Sequence, residues 1–163
     1  MASLNAALRE HVLTLLSAGH AHVDFDGAIK AVPVVLRGKR PPKTEYTLWQ
    51  LLEHLRIAQW DILEFSRNPH HVSPAFPEGY WPEKAAPKSP AAWTRSITAV
   101  RADLQAMKDL VADPGNDLVK PLAHGQGETL LREALLLADH NAYHVGQIVL
   151  VRRLLGIWPP KGR

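Results

Sequence analysis

Leu137-Ala138-Asp139-His140-Asn141-Ala142-Tyr143-His144-Val145-Gly146-Gln147-Ile148 is the stretch on which the rest of the chain turns. Its apolar residues recur at helical spacing, and the pattern predicts a helix from about Thr129 to Leu155. At about 100° per residue, His140 and His144 stand within roughly 40° of one another. Leu130, Leu137, Ile148, Val151 and Leu155 share that face, so both imidazoles point to the core. One inward histidine is usually a neutral, hydrogen-bonded core residue. Two at i, i+4 on one apolar face more often share a metal ion, because the spacing brings both side chains to one point.

A third candidate ligand lies upstream. Thr44 or Thr47 opens a helix that runs to about Ser66, with Leu48, Leu51, Leu52, Leu55, Ala58, Ile62 and Phe65 inward. Glu45, Gln50, Glu53, Arg56 and Asp61 are expected mostly outside. His54 falls on the inward stripe between Leu51 and Ala58. Alone it is a satisfied core histidine; beside His140 and His144 it becomes a third ligand.

Two further helices complete the count. Leu4, Leu8, Val12, Leu15 and Leu16 give one from Ser3, its N-cap, to about Gly19, its stop, with His11 at the surface or boundary. Ser89-Pro90 starts another, with Trp93, Ile97, Val100, Leu104, Met107, Leu110 and Val111 inward, ending near Asp113-Pro114-Gly115. Between the first two helices, His20 to Asp26 alternates polar and apolar residues as an extended piece does, and a turn of helix is expected before Pro33. His20, His22, Asp24 and Asp26 share one side of that piece. Polar surface is the favoured reading there, with a supporting role beside a site as the alternative. Arg37-Gly38-Lys39-Arg40 and Lys43 read as a solvated Pro/Gly loop in preference to a phosphate-binding patch. Residues 67–89 hold Pro69, Pro74, Pro77, Pro82 and Pro87 and form a long loop, whose aromatic residues suit a lid or a dimer contact. His70 and His71 sit in it and are left out of the ligand set.

Four long helices, each with one stripe to bury, make an all-α four-helix bundle with long inter-helix loops, expected as one domain over 1–163. Sites in such bundles are built from side chains on facing helices. The composition narrows the function classes. The chain has 163 residues, 46% of them hydrophobic, and no run approaches the roughly 18 apolar residues of a membrane span. It has no cysteine, which excludes disulfides, a thiolate nucleophile and Cys-ligated zinc. A net charge of +3 on scattered basic residues offers no stripe for nucleic acid. With no export signal, the cytoplasm is the default expectation.

Three neutral imidazoles from two helices leave open positions on a divalent ion for water or substrate. Two familiar metal motifs do not apply. In H-E-x-x-H the glutamate is the general base, and Asn141 stands in its place here. Di-iron bundles use Glu-x-x-His pairs, and the chain has none. Glu133, Asp139, Asn141 and Tyr143 are candidates for orienting the imidazoles.

Leu51-Leu52-Glu53-His54-Leu55 through Trp60-Asp61, followed by His140-Asn141-Ala142-Tyr143-His144-Val145-Gly146-Gln147-Ile148, resembles the DinB-like (DinB/YfiT) family over almost the whole chain. The resemblance implies a four-helix bundle, often a homodimer, with a divalent metal (zinc, nickel, iron or manganese) on three histidines that map onto His54, His140 and His144. It also implies kinship with transferases and isomerases that use low-molecular-weight thiols. Two functions stay open at this point. One is a metal-dependent transferase or hydrolase that activates a thiol or water on a small-molecule substrate. The other is a non-catalytic, metal-stabilised, stress-associated bundle or interaction module.

Overall fold

The computed structural model describes residues 4–17 and 21–160. The chain is all-helical: α1 (Leu4–Leu16), α2 (Phe25–Ile29), α3 (Leu48–Arg67), α4 (Pro90–Ala112) and α5 (Leu130–Leu154), with single 3₁₀ turns at Val34–Leu36 and Glu78–Tyr80. The three longest helices begin where their caps dictate. The Thr47 side chain accepts from the Gln50 amide while the Gln50 side chain reaches back to the Thr47 N–H, a complete capping box. Ser89 accepts from the Ala92 amide, with Pro90 in the first turn. Thr129 accepts from the Arg132 amide. The proposed cap Ser3 and stop Gly19 of the first helix lie outside the described residues, as does His20.

One segment departs from expectation. The extended reading of 20–26 fails at its end, where Asp24 accepts from the Gly27 amide and starts α2 at Phe25. A carboxylate at an N-cap outweighs the two-residue alternation, because it satisfies an amide that a short helix would otherwise leave bare. Within the first helix, Leu4 and Leu15 are exposed and only Val12 and Leu16 are fully buried.

Two apolar clusters build the core. One gathers Ala28 and Ile29 of α2, Val32, the first turns of α3 (Leu48, Trp49, Leu51, Leu52, Leu55), Trp93 and Val100 of α4, and Val145, Ile148 and Val151 of α5. The other joins Val12 and Leu16 of α1, Ile62 and Leu63 of α3, Met107 and Val111 of α4, Leu118, and Leu130, Ala134 and Leu137 of α5. The start of α3 thus meets the end of α5, so these helices run antiparallel. Between the clusters lies a polar waist, where buried Gln59 donates to the Val100 carbonyl at 2.7 Å and accepts from Asn141 at 2.7 Å. Each fully buried leucine contributes about 1.5–3 kcal/mol, and a buried amide is tolerated only when hydrogen-bonded, as Gln59 is.

Arg152 in the last turn of α5 is wholly buried. It donates to the carbonyls of Ala28 and Ile157 and lies over the Trp158 ring at 5.0 Å, tying α2 and the C-terminal turn to α5. Burial lowers its pKa. No helix among the described residues is long and apolar enough to cross a membrane.

Candidate metal centre

His54 lies near the middle of α3 and His140 and His144 one turn apart on α5, at the waist where the two helices cross. His54 and His144 are buried, and His140 is half-buried. Their ring nitrogens converge: Nε2 of His54 is 3.0 Å from Nε2 of His144 and 3.2 Å from Nε2 of His140. One nitrogen from each of the three lies within 4.8 Å of the others, a group that can hold a metal ion. Sequence periodicity turns each of these three residues inward, and the structure brings them to one point.

The outer ring nitrogens fix the protonation pattern. Nδ1 of His54 faces the Tyr80 carbonyl oxygen at 2.9 Å, which only accepts, so Nδ1 carries the proton and Nε2 presents a lone pair. Nδ1 of His144 faces Oε1 of Gln147 at 2.8 Å, with the same consequence. Two lone pairs then oppose each other with no proton between them. A bound cation relieves that contact. Imidazole nitrogens placed about 2.0–2.1 Å from one ion, at right angles or tetrahedrally, stand about 2.8–3.4 Å apart, which matches the observed spacings. Nδ1 of His140 is buried without a hydrogen-bond partner among the described residues.

Electrostatics keep the group neutral. Burial lowers the pKa of His54, with the Tyr80 carbonyl opposing. Burial, then the His144 and His54 rings, push His140 down to about 4, with the Asn141 side chain opposing. Burial and the His54 ring take His144 to about 4, against the Gln147 side chain. Metal ligation requires neutral imidazole, so the group is in its ligating form throughout the neutral range.

The loop 68–89 covers one flank. The Trp81 ring stacks on His54, centroids 3.8 Å apart and planes 2° apart, and on its other side meets Tyr46 at 4.0 Å. A second buried cluster lies two turns along α3. Asp61 takes the Tyr80 hydroxyl at 2.6 Å on one oxygen and Nε2 of His71 at 2.7 Å on the other. Burial and this hydrogen bond push the Tyr80 hydroxyl up to about 12. Asp61 is therefore inside and not outside as expected, because the loop supplies two donors that replace solvent.

Asp139 and Tyr143 are exposed, Glu133 is buried against Arg132, and Asn141 bonds Gln59. Within ordinary hydrogen-bond geometry none of the four orients a histidine of the group; the Tyr80 carbonyl and Gln147 do. Gln147 was findable, since it follows His144 by three residues on one helix. Tyr80 and Trp81 were not, since nothing periodic gives the path of a proline-rich loop. His22 and Asp26 are exposed, Asp24 caps α2, and none of these joins the group. His70 is exposed, and His71 serves Asp61.

No curated protein and no solved structure gives a significant match to the chain. A family model does: that of the DinB superfamily covers residues 6–148, a span that holds α3, the loop over His54 and both α5 histidines. A helical bundle with a three-histidine group compatible with metal binding is what the geometry gives independently, and the chain belongs to the DinB superfamily.

Proposed function

We propose that His54, His140 and His144 bind one divalent transition metal ion, zinc, nickel, iron or manganese, and that the protein is a metal-dependent enzyme of the thiol-dependent transferase or hydrolase type. On this reading it acts as a homodimer on a small-molecule substrate. The observation that carries it is the pair of Nε2 lone pairs 3.0 Å apart, each fixed by an acceptor on the far side of its ring. A set of three neutral donors leaves positions on the ion open, as catalytic sites do and closed structural sites do not. The chemistry such an ion supplies when bound is a lowered pKa for a coordinated water or thiol. The chain's own part is to hold the imidazoles of His54 and His144 in their ligating tautomer with His140 beside them, to cover His54 with Trp81, and to keep water from the buried side. With no cysteine in the chain, any thiol comes from a low-molecular-weight cofactor.

Elemental analysis of the purified protein tests the first step. About one equivalent of metal is expected in the wild type and less than about a tenth of that in His144→Ala, as loss of one of three ligands predicts. The metal-loaded protein is then assayed for consumption of a small thiol with an electrophilic acceptor and for ester or amide hydrolysis. No metal in either protein after reconstitution overturns the site. Bound metal with neither activity, and loss of fold on chelation, favours instead the non-catalytic, metal-stabilised bundle.

A further inference from the structure

Helix α5 is apolar on two sides, and only one of them is covered. Leu137, Val145, Ile148 and Val151 face the core, while Leu136, Tyr143, Leu150 and Leu154 on the opposite side are 38%, 64%, 54% and 52% exposed. A helix apolar all round is normally buried all round. The outer residues are also in register. Leu136, Asp139, Tyr143, Gly146, Leu150 and Arg153 alternate at spacings of three and four, the heptad seam by which one helix packs along another.

The charges on the seam say what covers it. Asp139 and Arg153 are exposed and opposite in sign, and their side chains make no ion pair among the described residues. They stand one heptad to either side of Gly146. We infer that α5 pairs antiparallel with α5 of a second copy of this chain about a two-fold axis at Gly146. Each Asp139 then meets Arg153 of the other copy, and Tyr143 of one lies against Leu150 of the other. A parallel pair would set Asp139 on Asp139, which disfavours it. The self-complementarity about one residue is what an isologous interface requires. Gly146 suits the crossing point: it is exposed, a Cβ built there meets nothing within 4 Å, and its lack of a side chain lets two helices approach closely. Tyr143 also stands edge-on to His144 at 5.0 Å, so the second copy covers a flank of the histidine group.

From the proposed function this takes only the homodimer, not the metal. Because the chain has no cysteine, Gly146→Cys introduces a single thiol at the proposed axis. Light scattering of the wild type is expected to give twice 18.1 kDa, and mild oxidation of Gly146→Cys a reducible covalent dimer in most of the protein. Asp139→Arg and Arg153→Asp are each expected to raise the dimer dissociation constant about tenfold or more, and the double variant to return it to within about threefold of wild type. Circular dichroism and metal content on the same samples keep folding and the metal site separate from association. A monomeric wild type overturns both the dimer and this face. A wild-type dimer whose Gly146→Cys form does not cross-link overturns this face alone, as does a double charge reversal that fails to rescue. Should Gly146→Cys disturb folding, the charge-reversal pair decides.

Discussion

His54 and Asp61 are one heptad apart on α3, both buried, and both held by the same loop residue: Tyr80 offers its carbonyl to the one and its hydroxyl to the other. Their chemistry differs. At Asp61 every demand is met inside the chain, with one donor at 2.6 Å and one at 2.7 Å on the two carboxylate oxygens. At His54 only the outer nitrogen is met, and the inner one faces two other ring nitrogens across 3.0 and 3.2 Å. Burying a polar group costs about 1–3 kcal/mol unless it is paired. A satisfied cluster such as Asp61 can hold structure by itself. The histidine group is complete only with something the chain does not supply, and that marks it as the binding site of the two.

The contrast breaks most visibly when metal is added. Ligand that binds only the folded state at about a thousand times its Kd stabilises by about 4 kcal/mol. For a 163-residue chain that is a rise of roughly 8–16 °C in melting temperature. Calorimetry with and without zinc or nickel is expected to show it for the wild type and for Asp61→Ala, and not for His144→Ala. An equal rise in His144→Ala would place the ion elsewhere.

Removing the satisfied group gives the next largest effect, and in the opposite preparation. Asp61→Ala leaves the His71 nitrogen and the Tyr80 hydroxyl without their acceptor, at a cost of about 1–3 kcal/mol in the metal-free protein. Urea unfolding of chelator-treated samples measures it. A change under about 0.5 kcal/mol, the range of ordinary surface substitutions, would mean that solvent already serves those donors and that the two clusters are less different than their geometry says.

Much of this was legible in the residues. Thr47, Ser89-Pro90 and Thr129 announce their helices through local hydrogen bonds that need no tertiary context. His54, His140 and His144 sit on regular helices, so angular arithmetic turns all three inward, and the family motif is what places them at one level. Asp61 obeys the same arithmetic, one heptad after His54, yet its charge argued for solvent; its donors come from a loop whose course depends on packing. Arg152 was hidden for the same reason. Beside Arg153 it reads as a basic last turn, and the carbonyls that make its burial tolerable come from the end of α2 and from the turn after α5. Local patterns fix helices and faces, whereas the compensation of a buried charge is a long-range fact.

The smallest effect sharpens the comparison from the histidine side. Gln147 holds the His144 ring through one hydrogen bond at 2.8 Å and is half-buried, so it matters to the orientation of a ligand more than to the fold. In Gln147→Ala the ring loses the acceptor that keeps its proton on Nδ1, and the tautomer with the proton on Nε2, which cannot ligate, gains population. Metal affinity is expected to fall about tenfold, or about 1.4 kcal/mol, the lower end for removal of such an orienting partner. Unfolding of the metal-free protein should move by less than about 0.5 kcal/mol, as for other substitutions outside the core. Competition against a chromophoric chelator reads the first, and urea unfolding the second. Gln147→Glu restores an acceptor at the same place and should recover the affinity. If Gln147→Ala binds metal as tightly as wild type, His144 is held by its packing between α3 and Tyr143 alone. If Gln147→Ala weakens the fold as much as Asp61→Ala does, the two clusters are the same kind of object, and the distinction drawn between them goes.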